Sequence, residues 1–213
     1  MQGGMMRHRG FTLIELLIVI TLIALMVAVA VPCFLRAQVA ARQSNACTLM
    51  KALVSHEAVW RSQDFDRNGT GDYWVRDVRG LYGIRDQVGS PVALINVAFA
   101  RADRAAAFSY ALQVDTTQPN KGYFVQAMTT DQDGLPYVDA ALPPPSAEPV
   151  SGPCSNRSRF GFTAFPEVYG QTGISVFVVG EDGIIREKDD GAGAPALDRR
   201  QVDAAGDWRL AGG

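Results

Sequence analysis

Arg7-His8-Arg9-Gly10-Phe11-Thr12-Leu13-Ile14-Glu15 runs directly into an apolar stretch that ends near Leu35. Between Phe11 and Leu35, Glu15 is the one charged residue. A helix of that length covers roughly 37 Å, against a hydrocarbon core of ~30 Å. An ionised carboxylate at membrane depth is costly unless it is paired. The span contains no basic residue, so the sequence predicts that the partner of Glu15 comes from another copy of the chain.

Three readings compete for this segment. A secretory signal would use the basic Arg7-His8-Arg9, the apolar run and the small-residue pattern Ala28-Val29-Ala30. Against it, the apolar region exceeds the usual ~7–15 residues and contains an acid. A lipoprotein signal would end at Cys33, but Pro32 stands where a small residue is needed. The third reading is a helix that is retained.

Gly10-Phe11-Thr12-Leu13-Ile14-Glu15 resembles the processing motif of type IV prepilins and type II secretion pseudopilins. It has the glycine, the Phe after it, the acid four residues beyond that Phe, and the long apolar run. The resemblance implies cleavage after Gly10 by a prepilin peptidase and N-methylation of the new terminus at Phe11. It also implies pairing of Glu15 with the terminal amine of a neighbouring subunit during assembly. Pro32 falls where the family often carries a helix-kinking proline. Charge alone does not orient the span, because Arg7 and Arg9 flank one end and Arg36 and Arg42 the other. The resemblance puts the leader in the cytoplasm and the rest in the periplasm, anchored in the bacterial inner membrane. Its implied partners are the peptidase, other pilin or pseudopilin subunits, an inner-membrane assembly platform and membrane lipid.

The bulk numbers agree with a folded protein. Hydrophobic residues make up 47% and charged residues 20%, a composition unlike that of disordered chains. The net charge is −2, so composition gives no sign of a nucleic-acid partner. The three cysteines, Cys33, Cys47 and Cys154, form no CxxC pair. An oxidising compartment permits a Cys47–Cys154 disulfide.

Beyond the span, residues 37–62 read as a continuation of the same helix. Val39, Ala46, Leu49, Met50, Leu53 and Trp60 fall on one face, and no Gly or Pro interrupts from Phe34 to Gln63. Glu57 lies on that face too, which marks it as a place where packing meets solvent or a polar partner. Next, Asp64-Phe65-Asp66-Arg67-Asn68-Gly69-Thr70-Gly71-Asp72 places oxygen side chains at positions 1, 3, 5 and 9 with glycine at 6. That is the front half of an EF-hand-type Ca2+ loop, with Asp64, Asp66, Asn68 and Asp72 as candidate ligands. Position 12 is Val75 and not the bidentate Glu, so another ligand is required. The alternative is a solvated Asn-Gly turn.

Ser90-Pro91 reads as a helix start, with Val92–Phe99 as a short helix or, alternatively, a strand. Gly122–Met128, Arg159–Phe165, and the pair Ile174–Val179 and Ile184–Glu187 around Asp182-Gly183 read as strands. The proline-rich 142–153 reads as a rigid surface loop, and 189–213, with Trp208 as its only large anchor, as a flexible tail. The expected fold is α+β and pilin-like, with one long helix packed on an antiparallel sheet. The expected division is a leader at 1–10, a membrane and assembly helix at 11–35 and a periplasmic head at 36–213.

Three functions are weighed. The first is a structural subunit of a type IV pilus or pseudopilus. The second is a membrane-anchored periplasmic binding module that depends on calcium. The third is an enzyme, which the sequence disfavours. There are only two histidines, His8 and His56, and no nucleophile elbow, P-loop, dinucleotide fingerprint or zinc motif.

Overall fold

A computed structural model describes residues 11–85, 89–105, 117–144 and 152–212. Gly10 and the rest of the leader lie outside the described residues, as do parts of the 92–107 and 142–153 stretches. The chain divides into two compact units, Met1–Gln38 and Val39–Gly213.

Helix α1 spans Leu13–Gln63 and runs on through Pro32. Its N-terminus is closed by the pair Thr12 and Glu15. Its other end is fixed by Asp64, a non-glycine residue at φ 46° whose N–H donates to Trp60 O at 3.2 Å. Short polar side chains tolerate this left-handed backbone better than most. In the first unit every side chain from Phe11 to Gln38 is exposed. Among the described residues, α1 is the one helix long and apolar enough to cross a membrane. From Val39 onward the helix acquires a buried stripe of Ala46, Met50, Leu53, Glu57 and Trp60. The predicted stripe is therefore present, and Lys51 points to solvent as expected. Glu57 is fully buried, so of the two alternatives, solvent or a polar partner, it meets the second, the Trp74 N–H.

Strands β1 (Tyr73–Trp74) and β3 (Ser155–Asn156) form a two-stranded antiparallel ladder. The main sheet contains β2 (Tyr123–Ala127), β4 (Gly161–Pro166), β5 (Val176–Gly180), β6 (Arg186–Lys188) and β7 (Arg209–Leu210). Among the described residues its order is β2-β4-β5-β6-β7, antiparallel throughout. β5 and β6 pair as the Asp182-Gly183 hairpin predicts, with Val176 opposite Lys188. The outer edge of β2 is covered, not open. Val125 N–H donates to Ala102 O, and Arg104 N–H donates back to Val125 O. That pairing removes an edge that would otherwise recruit another strand.

One face of the sheet, with Tyr123, Val125, Phe162, Ala164, Phe177 and Val179, shares a core with the α1 stripe. The other face, with Phe124, Phe165 and Val176, is covered by Ala196 and Trp208. Both faces of β4 and β5 are thus buried, which accounts for their almost unbroken apolar runs.

The segment expected to be a flexible tail supplies this second cover. It contains α4 (Arg199–Ala205), capped by Asp198 at one end and by Gly206 at φ 64° at the other. Asp190 accepts from the backbone N–H groups of Ala192, Gly193 and Ala194, which folds the glycine-rich stretch on itself. Buried Arg199 bridges Asp182 and Asp203 at 3.3 and 3.1 Å. These polar anchors, not large apolar residues, hold the segment in place.

Two short helices differ from expectation. α2 (Gly80–Gly83) was not foreseen. α3 (Val97–Arg101) starts later than Ser90-Pro91 suggests, because Asn96 is its cap and accepts the Phe99 N–H at 2.8 Å. Ala93 at φ 47° and an antiparallel bridge from Arg85 to Pro91 keep the preceding stretch non-helical.

Candidate functional site

The first candidate site is the start of α1. Thr12 precedes the first helical residue, and its Oγ accepts the Glu15 N–H at 3.2 Å. Glu15 Oε2 in turn accepts the Thr12 N–H at 3.0 Å and the Thr12 hydroxyl at 2.9 Å. This is a capping box, in which two otherwise orphaned N–H groups are satisfied reciprocally. The sequence Thr12-Leu13-Ile14-Glu15 has its S/T-x-x-E spacing, so the box is legible in the sequence. Glu15 therefore does have polar partners within its own chain. They are neutral, however, and among the described residues the carboxylate has no counter-charge. One oxygen, Oε2, accepts both the Thr12 N–H and the Thr12 hydroxyl, and Phe11 beside it is exposed.

The exposed surface that follows is apolar for its whole length. Leu13, Ile14, Leu16, Leu17, Ile18, Leu25, Met26, Val29 and Phe34 are each more than half exposed. A face this large and this apolar is not tolerated in water. It needs lipid or other helices around it.

The second candidate site is the turn after α1. All four residues singled out from the sequence are brought to it. Asp64 accepts the N–H groups of Asn68 and Gly69, each at 3.1 Å. Asn68 Nδ2 donates to Asp66 Oδ2 at 2.9 Å and to Asp72 Oδ2 at 2.7 Å. Asn68 Oδ1 accepts the Thr70 N–H at 2.8 Å. Asp66 and Asp72 are almost fully buried, which the open Asn-Gly turn reading did not foresee. Burial, reinforced by Asp72 and Asp64, pushes the Asp66 carboxyl up to about 7. Burial also raises Asp72, against hydrogen bonds from Asn68 and Ser155.

Sequence reasoning placed Glu57 on the packing face but did not connect it with this turn. Its Oε2 accepts the Trp74 N–H at 2.9 Å, while its Oε1 is buried with no partner. Burial holds its carboxyl well above the ordinary range, opposed by the Trp74 hydrogen bond and reinforced by Asp72. Among the described residues, no three Asp, Glu, His or Cys side chains already form a metal-binding group.

The cysteines are all free thiols, so the Cys47–Cys154 disulfide that the sequence permits is not formed. Cys47 lines a groove with Gln43, Phe177 and Glu187. Cys154 is buried elsewhere, where its backbone carbonyl accepts the Val75 N–H. Burial, with Asp66 next in weight, raises its thiol, the opposite of what a reactive thiolate requires.

Comparison with known proteins bears on the first site. The prokaryotic N-terminal methylation motif matches residues 5–31. The type IV major pilin protein PilA of Myxococcus xanthus (strain DK1622) is 44% identical over 57 residues, 27% of this chain and 26% of the relative. The match thus spans about a quarter of that relative's length. No solved structure matches the chain. The long capped helix and the α+β head agree with what that segment implies. Residues 5–31 thus carry the prokaryotic N-terminal methylation motif, and the N-terminal segment is similar to part of a type IV major pilin.

Proposed function

We propose that the chain is a structural subunit of a type IV pilus or a type II secretion pseudopilus. In this reading it is held in the bacterial inner membrane with its head in the periplasm. A prepilin peptidase cuts after Gly10, Phe11 becomes the methylated N-terminus, and an inner-membrane platform moves the subunit into a filament of like subunits. The observation that carries the reading is a capped acid, with no counter-charge among the described residues, at the head of an apolar helix surface exposed from Phe11 onward.

The chemistry is simple. Cleavage creates an ammonium at Phe11, and Glu15 of an adjacent subunit supplies its counter-charge. In low dielectric such a pair is tolerable where either charge alone is not. Apolar surfaces of neighbouring helices replace the lipid, so leaving the membrane costs the helix little burial. The Thr12 cap holds the Glu15 carboxylate in one orientation before its partner arrives.

That positioning role predicts a graded result. Thr12→Ser should assemble normally. Thr12→Val keeps the shape but loses the hydroxyl, and should reduce the fibre fraction about five-fold, consistent with a cap worth ~1 kcal/mol. Equal fibre yields from the two variants, measured by shearing and immunoblotting, would remove Thr12 from the account.

The competing reading is a periplasmic binding module for which the helix is only an anchor. A photoreactive leucine analogue at Leu25 separates the two. An assembling subunit should crosslink to other copies of itself through the helix. Crosslinks to lipid alone, in cells that make fibres, would favour the anchor.

A further inference from the structure

We propose that the turn after α1 is a divalent-cation site, suited to Ca2+, whose ligands are Asp66 and Asp72 from the turn and Glu57 from the helix. An acidic turn alone would not support this, since Asp64 and Asn68 hold the loop together by ordinary hydrogen bonds. The independent observation is Glu57. It comes from a different element, is fully buried, and has one carboxylate oxygen, Oε1, with no partner among the described residues. Its other oxygen is fixed on the N–H of Trp74, two residues from Asp72, and the Asp72 charge acts on it. Asp66 repeats the pattern, with Oδ2 on Asn68 and Oδ1 buried and unpartnered.

Buried carboxylate oxygens without partners are rare, because each loses its hydration for nothing in return. Here two occur in one acidic neighbourhood, together with Asp72. The Arg157 charge offsets only part of the burial that raises Asp72. A hard cation answers both deficits. It binds several carboxylate, amide and hydroxyl oxygens at once and supplies two positive charges. Ser155, buried beside Asn68 at 3.4 Å, and the Asn68 carbonyl are the further oxygen donors at hand.

The structure also explains why no preformed metal group is seen. Asn68 Nδ2 lies between Asp66 and Asp72, bonded to both. It occupies, with its partial positive charge, the place between two acids that an ion would take. Cation binding therefore has to displace this amide. The missing twelfth-position acid of the loop pattern is, in this account, replaced by Glu57 from the preceding helix.

The proposal is independent of the assembly reading. Its test uses the full-length chain in detergent, treated with chelator and then titrated with calcium chloride by calorimetry and thermal unfolding. Calcium should bind with one-to-one stoichiometry and raise the melting temperature by about 5–10 °C at saturation. Asp66→Asn should abolish both effects, and Glu57→Gln should weaken binding at least about ten-fold while leaving the protein folded. The binding titration on the unaltered chain keeps the proposal falsifiable even where a variant fails to fold. No calcium heat and equal melting temperatures in calcium and chelator would overturn it. So would unchanged calcium binding by a folded Asp66→Asn variant. A melting temperature indifferent to calcium but raised by acidification from pH 8 to 6 would also overturn it, because protons would then be what neutralises Glu57 and Asp66.

Discussion

Replacing Glu15 with leucine should leave the protein in the membrane yet lower its recovery in sheared fibres by about ten- to a hundred-fold, the usual scale of losing one charge-assisted hydrogen bond. Insertion improves, if anything, because the only charge in the span is gone. What is lost is the counter-charge for the neighbouring subunit's Phe11. Glu15→Gln sharpens the test. Glutamine can still accept the Thr12 N–H and hydroxyl, so the cap survives while the charge does not. If Glu15→Gln assembles as poorly as Glu15→Leu, the charge is what matters. Normal fibre incorporation of Glu15→Gln would mean that Glu15 serves only as a helix cap, and the pairing account would fail.

The second large effect is in the head. Gly80→Ala should destabilise it by about 3 kcal/mol, at the upper end of ordinary overpacking. A Cβ at Gly80 would stand 2.2 Å from Cε2 and 2.3 Å from Nε1 of Trp74. The indole has nowhere to move. Its Nε1–H donates to Asp77 at 3.2 Å, and Trp60 packs against it at a centroid distance of 5.1 Å. Asp77 is pinned in turn by the Gly80 N–H at 2.7 Å. Thermal unfolding should show a fall of roughly 6–12 °C. Gly71→Ala is the control, because its Cβ would meet nothing nearer than Arg61 O at 3.4 Å. Equal melting temperatures for the two variants would show that the Trp74 slot is looser than the packing implies.

This slot shows why part of the head was hard to see in the sequence. Gly80-Leu81-Tyr82-Gly83 carries no helical periodicity and too few residues to show any. Its position follows from Trp74 and Asp77, contacts that no local pattern announces. The same holds for residues 189–212. Their order comes from Asp190 and Asp198 accepting backbone N–H groups and from the buried Arg199, polar anchors that a search for apolar patterns passes over.

What was legible followed from long, repeated constraints. The stripe from Ala46 to Trp60 repeats at helical spacing over several turns, and the 174–187 hairpin combines two apolar runs with Asp-Gly between them. The acidic turn was legible as a motif, but its burial was not, because that depends on Trp74, Ser155 and Glu57 brought from other elements. The position of Glu57 on the packing face signals either solvent or a polar partner, and the Trp74 N–H, which no local pattern announces, is that partner.

The opening segment was the most legible of all, and the structure changed its meaning in one respect. Glu15 is not without partners; Thr12 engages it twice. What it lacks among the described residues is a positive charge, and the proposed cut at Gly10 would supply one on the neighbouring subunit.

The mass of the mature N-terminus tests the central claim most directly. Protein recovered from membranes and from sheared fibres should both yield a terminal peptide that begins at N-methylated Phe11. A peptide beginning at Met1 would leave the helix as an uncut anchor, and one beginning at Val31 would mean that a secretory peptidase removes it. Either result would contradict assembly through Phe11 and Glu15.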